Sequence, residues 1–583
     1  MKKIFIMTVL LIAVTLQGQT AAVQLAPAQQ PDRRAFLFTH YDLALDVDAA
    51  HATLAVRGHI TLHNDSVSEQ SKLAMQISSS LKWVAVKAQG EILKFKEETI
   101  DSGADHTGTV NELSVDLFKP VPPGADMDIE VAYKGQITLN GDRLVALGAP
   151  VEVARRSDWD RITPSFTAIR GAGYVLWYPV AIDPSPLDSS NRVLNDVAAW
   201  RSRNAAASMH VRWRWSGEQS PRILTANGVI HIVPALNEQL NSYDIQWIHL
   251  GVLAPVIVAG EYFSQTCSAG TVYRLLNTPA SVSSAPLYQE GCNKIATAIA
   301  DWTGHTPLGA QFIELPENTD APYDAGATFL TAMRVKDVPT IELQVVHALS
   351  HAALPSFRPW IEEGVAHYLQ ARTRELQGGR NAAIHFMDQR RPFLEETEKT
   401  IASETMESLV QSEREVMFRT KGMYVWWMLH DMIGDKALTQ ALATYSQSAD
   451  HGAAGMQRLL ESQSQKDGVH KDLEWFFDDW VYRDRGLPDF SITNVVPREG
   501  LNGSWLIAVT VENLGNAGAE VPVRLILPGG ETLQRVIVKA RDKLVVRIPS
   551  TERPTEVIVN DGSVPESDYD NNRFVLPPKG AKQ

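Results

Sequence analysis

His347 and His351 stand four residues apart in the stretch Thr340-Ile341-Glu342-Leu343-Gln344-Val345-Val346-His347-Ala348-Leu349-Ser350-His351-Ala352-Ala353-Leu354-Pro355. Thr340 follows a proline and is the expected N-cap, and Pro355 stops the helix, so the pattern predicts a helix over 340–354. Nearly every face of that helix is apolar, which predicts burial. A spacing of four puts both imidazoles on one face. Buried imidazoles need partners, because an unpaired buried polar group costs on the order of 1–3 kcal/mol. One shared metal ion satisfies both, and an apolar setting favours the neutral imidazole that a metal requires. A bare pair has a second reading, two core histidines hydrogen-bonded to backbone or carboxylates, and taken alone the pair favours that one.

A second segment shifts the balance. Trp360-Ile361-Glu362-Glu363-Gly364-Val365-Ala366-His367-Tyr368 begins just after Pro359 and reads as another helix. Glu363 is a candidate third ligand. Two histidines and one carboxylate leave a coordination position open, the catalytic rather than the structural type of zinc site.

The Trp360–Tyr368 segment resembles the W-x-x-E-G-x-A-x-Y helix of gluzincin metallopeptidases, in particular the aminopeptidase N (membrane alanine aminopeptidase) family. Downstream, Lys421-Gly422 with Val425, Met428-Leu429 and Ile433-Gly434-Asp435 resembles that family's K-G helix. Trp475-Phe476-Phe477-Asp478-Asp479-Trp480, with Gly486-Leu487-Pro488-Asp489, is similar to the segment closing its catalytic unit. Upstream, Tyr41 to Val47, Gly58 to Asn64 and Tyr133-Lys134-Gly135 resemble its saddle-like N-terminal domain. The resemblance spans roughly 36 to 490 and rests on the order of these motifs. It implies zinc, held by His347, His351 and Glu363, and a peptide or protein as substrate or ligand. The final residues, with Val511-Glu512-Asn513, Gly515 and Asp570-Asn571-Asn572, resemble Ig-like adhesion modules of bacterial exported proteins.

The family pattern also breaks. In H-E-x-x-H the glutamate is the general base, and here that position is Ala348. The tyrosine that stabilises the oxyanion, two residues before the K-G pair, is replaced by Arg419, whose shape and charge differ. The glycine-rich segment with a substrate-amine glutamate is replaced by Ala321-Pro322-Tyr323-Asp324-Ala325-Gly326, where only Asp324 is acidic. Fewer residues than usual separate His351 from Glu363. Losing a general base costs about 10²–10⁴ in rate, and losing an oxyanion donor about 10²–10³. The expectation is therefore zinc and peptide binding with weak or no peptide hydrolysis, any residual activity favouring activated esters. The alternatives are an active hydrolase with a substitute base (Glu362, Asp324 or Glu342), and a structural or adhesive protein with a vestigial site. Glu362 is expected to point elsewhere on its helix into solvent, His367 to lie at the surface, Trp426 and Trp427 in the core, and Arg414 and Arg419 in charged pairs.

The elements that position these residues follow from patterning. The 583 residues are too many for one core. Hydrophobic content of 44% and charged content of 21% are those of a globular chain. A net charge of -14 argues against a nucleic-acid or anionic-membrane partner. Lys2 and Lys3, the apolar run Ile4 to Leu16 and the small residues Thr20, Ala21 and Ala22 form an export-signal pattern, cleaved near Ala22. No cysteine stands there to make a lipoprotein, and no later segment reads as a membrane span. The chain then reads as a multidomain α+β protein: signal 1–22, flexible leader 23–35, an antiparallel N-terminal β saddle domain 36–252, a mostly helical, thermolysin-like catalytic domain 253–488, and a C-terminal Ig-like β-sandwich 489–578. Helices are predicted near 289–303, 340–354, 360–376, 421–433, 436–446 and 472–482. Cys267 and Cys292 can pair in an exported protein, or remain two thiols.

Overall fold

The computed structural model describes residues 31–184, 192–216, 221–226, 228–233, 241–267, 270–334, 337–404, 408–412, 414–450, 452–468, 471–500 and 503–578. The export signal expected over 1–22, and residues 23–30 of the expected leader, lie outside the described residues. The architecture is multidomain α+β: an N-terminal β-sheet domain, a helical middle and C-terminal sheets.

Period-two alternation builds the first part. In the strand Phe36–Asp48, Tyr41, Leu43, Leu45 and Val47 are buried, while Asp42, Ala44 and Asp46 between them are not. The eight-stranded sheet runs in the order Val229–Val233, Asn241–Trp247, Ser208–Ser216, Phe36–Asp48, Thr53–Asn64, Asp126–Gln136, Leu81–Ala88, Glu91–Ile92. It departs from the expected antiparallel pattern at one place. Phe36–Asp48 pairs parallel with Ser208–Ser216, because the chain leaves the sheet and returns through a long crossover. A three-stranded sheet, Gln70–Ser78, Thr109–Val121 and Phe95–Asp101, completes this core. The strand Val256–Gly260 pairs with Phe166–Arg170, so hydrogen bonding from the N-terminal part extends past residue 252.

The middle part opens with a five-stranded sheet in the order Tyr262–Thr266, Val272–Leu276, Gln311–Glu314, Thr328–Thr331, Tyr323–Ala325. Four helices matter for the site: α1 (Pro279–Thr303), α2 (Val338–Ala353), α3 (Pro359–Gly378) and α4 (Gly422–Thr444). The helix α1 begins earlier than predicted, since Thr278 caps it and Pro279 suits a first turn that needs no N–H. In α2 the cap is Asp337, whose side chain accepts from the Thr340 N–H at 3.0 Å, and not Thr340 itself; Pro339 is tolerated in the first turn for the same reason. Gly434 interrupts α4 at φ 82°, the break expected between two helices. The helices Arg192–Arg203, Arg380–Asp388, Arg391–Glu404 and Gly455–Lys466 were not foreseen. Cys267 and Cys292 are disulfide-bonded, tying the end of the first strand of this sheet to α1.

The C-terminal part has one sheet of Phe490–Glu499, Trp505–Asn513 and Lys543–Ser550 and another of Gly530–Val538, Ala519–Leu527, Glu556–Val559 and Arg573–Val575. Its buried residues Val509, Val521 and Val523 belong to the same apolar cluster as Trp426, Trp427 and Trp480 of the helical part. Both tryptophans of α4 are thus core residues, as expected. Among the described residues, no helix is long and apolar enough to cross a membrane.

Candidate metal centre

The helix α2 is buried along most of its length by Ile341, Val345, Val346 and Leu349, and this fixes its rotation. His347 and His351 then face the same way, their Nε2 atoms 3.0 Å apart, with 4% and 2% of their side chains exposed. Only Leu354 to Arg358 separate α2 from α3. That short link is pinned: Arg358 donates to Asp450 at 2.6 and 3.0 Å, and the Ser356 and Tyr445 hydroxyls meet at 2.7 Å. Glu363 is the fifth residue of α3, just past its first turn, and is buried. Its Oε2 stands 3.4 Å from His347 Nε2 and its Oε1 3.6 Å from His351 Nε2. The shorter spacing therefore still delivers Glu363 to the histidines.

A glycine pair sets how closely α3 meets the segment carrying Arg419. A Cβ on Gly364 would lie 3.0 Å from the Trp426 ring and 3.3 Å from the Gly422 carbonyl carbon, and one on Gly422 would lie 3.0 Å from the Gly364 Cα. The residues Val416–Lys421 before Gly422 form a π-helical turn, a geometry often found at functional sites. It brings Arg419 Nε to 3.2 Å from Glu363 Oε2, with Nη1 at 3.2 Å from Glu415 Oε2. Arg419 is in a charged pair, as expected, and its partner is the candidate ligand itself.

The fourth member is Asp324, on the short edge strand Tyr323–Ala325. Its Oδ2 lies 2.5 Å from His347 Nε2, and its Oδ1 accepts from the Gly326 N–H at 3.1 Å. One ligand atom from each of Asp324, His347, His351 and Glu363 lies within 4.8 Å of the others. The sequence marked Asp324 as acidic but not as a neighbour of His347.

Two expectations need correcting. Glu362 is not turned away: its Oε1 is 3.5 Å from His351 Nδ1, on the far side of the ring from the cluster. His367 is not at the surface. Its ring packs 4.8 Å from that of His347, its Nε2 is 3.9 Å from Glu363 Oε2, and neither of its nitrogens has a hydrogen-bond partner. Its position one turn beyond Glu363 was the available signal. Glu342 is fully buried and engaged elsewhere, 2.6 Å from Lys294 and accepting from Gln377 at 2.9 Å. Ala348 is fully buried.

The electrostatics follow from this crowding. Burial pushes His347 down, but the Asp324 and Glu363 carboxylates outweigh it and raise the imidazole to about 10. Burial and the neighbouring His347 are likewise outweighed at His351, which Glu363 and Glu362 raise. Burial opposes ionisation of Glu363, yet Arg419, His351 and His347 hold it well below the usual carboxylate range. Burial, with the charges of His347 and Arg419, keeps His367 well below its ordinary value.

The donor set fits zinc. Donors held tetrahedrally roughly 2.0–2.1 Å from one ion stand roughly 3.3 Å apart, close to the 3.0, 3.4 and 3.6 Å separations found here. Glu363 Oε2 and His351 Nδ1 are buried with no hydrogen-bond partner, which is the condition an ion and a carboxylate behind the ring would relieve. Beside the cluster opens a cavity of about 420 Å³, lined among others by Arg201, His351, Glu362, Glu363, Phe418 and Arg419.

No protein-family model matches the sequence, and no curated protein matches it. Solved structures do. An M1 zinc metallopeptidase from Deinococcus radiodurans aligns over 75% of this chain and 93% of its own, at 14% identity and a TM-score of 0.46. A mutant of that enzyme bound to a Tyr-Ser-Ala substrate aligns over 76% and 94%, at 14% identity and a TM-score of 0.47. Legionella pneumophila aminopeptidase A, in complex with aspartic acid, aligns over 91% of this chain and 59% of its own, at 13% identity and a TM-score of 0.55. This last likeness shows a shared fold.

Proposed function

We propose that this chain is an exported zinc-binding protein on a gluzincin metallopeptidase scaffold, holding peptides with weak or no hydrolysis. The observation that carries the reading is the convergence of His347, His351 and Glu363 beside Ala348, where the family has its base. Bound zinc acts as a Lewis acid and lowers the pKa of a bound water. The chain's own residues have other roles. Glu362 places a carboxylate 3.5 Å behind the His351 ring, Arg419 neutralises Glu363, and the cavity beside them is of a size suited to a few side chains. Ala348 cannot accept a proton, and Arg419, already committed to Glu363 and Glu415, makes a poor substitute for a neutral phenol. The exported location is supported by the leader pattern of residues 1–22 and by the Cys267–Cys292 disulfide. Domain limits at 36–252, 253–488 and 489–578, and an Ig-like character for the last, belong to the same proposal.

The test combines metal analysis with a peptidase assay on the zinc-loaded protein. One zinc per chain with no efficient peptide turnover is expected. Efficient turnover supports instead an active hydrolase with a substitute base, and absence of stoichiometric zinc supports the structural or adhesive alternative.

A further inference from the structure

Asp324 is the one member of the cluster that neither the H-x-x-x-H pair nor the Trp360 segment supplies. It comes from a different layer, the edge strand Tyr323–Ala325, where it lies opposite Phe329 in the register with Thr328–Thr331. Its carboxylate is oriented from both ends. The Gly326 N–H holds Oδ1, and Oδ2 points at the same Nε2 of His347 that faces His351 Nε2 and Glu363. At 2.5 Å from His347 Nε2 the carboxylate is paired with the imidazole in the metal-free chain. One of its ligand atoms lies within 4.8 Å of those of His351 and Glu363, and its other oxygen is held by a backbone donor. It needs to draw back by only about 0.8 Å to take the roughly 3.3 Å donor spacing of a shared ion.

We propose that Asp324 is the fourth protein ligand of the ion, making a closed His347–His351–Glu363–Asp324 site. This rests on the zinc reading above and goes beyond it. Four protein ligands make the structural type of zinc site, and three with an open position the catalytic type. With Asp324 bound, the two carboxylates balance a divalent charge and no position is left for a water. The substitution at 348 then has a reason: a base beside a closed ion has nothing to deprotonate.

The experiment uses the full chain, stripped of metal and loaded with one equivalent of cobalt(II), with azide as a small anionic probe of an open position. The wild-type visible spectrum is expected not to change with azide. Asp324→Ala and the near-isosteric Asp324→Asn are expected to show azide-dependent spectra. Their zinc affinity, measured by competition with a chelator, should fall about tenfold or more. Circular dichroism of the metal-free variants checks that they fold, and Asp324→Asn keeps an acceptor for the Gly326 N–H. The alternative role has the opposite sign. If Asp324 serves only as counter-ion to a protonated His347, removing it takes away a competitor of the metal and affinity rises. Equal or tighter zinc binding by the variants, or an azide-sensitive wild type, overturns the fourth ligand and leaves the three-ligand site standing. A wild-type chain that takes up neither cobalt nor zinc overturns both.

Discussion

Zinc binding should tighten steeply with pH, because the metal must displace a proton from His347. In the metal-free protein the Asp324 and Glu363 carboxylates outweigh burial and raise this imidazole to about 10. At pH 7 it therefore carries a proton by about three units, a penalty of roughly 4 kcal/mol on ligation, since each unit is worth about 1.4 kcal/mol and a ligating histidine must be neutral. Apparent affinity is expected to rise about tenfold per pH unit from 7 to 9, more steeply where His351, also raised, releases a proton as well. Calorimetric titration at pH 7, in buffers of different protonation enthalpy, should report at least one proton released per zinc. Stability of the metal-free protein should move the other way. A raised imidazole stabilises the fold fully below its unfolded value near 6.5 and loses that contribution as pH climbs through about 10. Metal-free unfolding temperature should thus fall over the same range in which zinc affinity climbs. His347→Gln should remove most of the stability trend and all metal binding. Affinity that is flat from pH 7 to 9, with no proton released, would refute the reasoning.

Four further outcomes are expected. Ala348→Glu should give no hydrolysis of an activated ester alone, but at least about 10² more than wild type when combined with Asp324→Ala, which reopens a position for water; steady-state kinetics decide it. Gly364→Ala forces a Cβ to 3.0 Å from Trp426, so it should destabilise by about 1–3 kcal/mol and weaken zinc binding by shifting Glu363, read by thermal unfolding with and without zinc. Lys421 is fully buried, donating to Glu398 at 2.7 Å and Asp484 at 2.8 Å. Lys421→Met strands two buried carboxylates and should cost about 3–5 kcal/mol in urea denaturation. Reducing the Cys267–Cys292 bond, whose cysteines are 25 residues apart, should cost about 3.5 kcal/mol on chain-entropy grounds, seen as a lower unfolding temperature in dithiothreitol.

What could be read from the sequence was what local periodicity encodes. Alternation over Tyr41 to Val47 gave a strand with the right face buried, and the spacing of His347 and His351 on an apolar helix gave a shared face. Glu363 was legible because Pro359 starts its helix and the segment resembles the W-x-x-E-G-x-A-x-Y pattern; the structure adds that Gly364 meets Gly422 where α3 and α4 touch. Asp324 was not legible as a neighbour of His347. It sits on a three-residue strand with no periodicity of its own, and only the sheet order places it there. The helix Arg380–Asp388 escaped for a related reason: its buried apolar positions are only Ala383, Phe386 and Met387, so propensity and tertiary packing, not pattern, decide it. His367 was misplaced because a polar residue on an amphipathic helix is by default solvated, and that default fails where the polar face is turned toward a site.

Residues 348, 419 and 324, where the sequence differs from the gluzincin pattern it resembles, gain a common explanation from charge. A catalytic site with one carboxylate ligand keeps a net positive ion able to polarise a water and a substrate oxygen. Here a second carboxylate stands 2.5 Å from a candidate ligand nitrogen, and an arginine pairs with Glu363. If Asp324 joins the ion, the metal loses its excess charge, and neither a base nor an oxyanion donor has a reacting species to serve. The arginine is then free to take a different task, neutralising Glu363 and Glu415 around the closed centre. If Asp324 stays off the ion, the same arginine sits beside an open metal with no base, a combination that holds an anionic ligand but cannot turn it over. The azide response of the cobalt form separates these two states of one constellation, and it does so without requiring the natural ligand to be known.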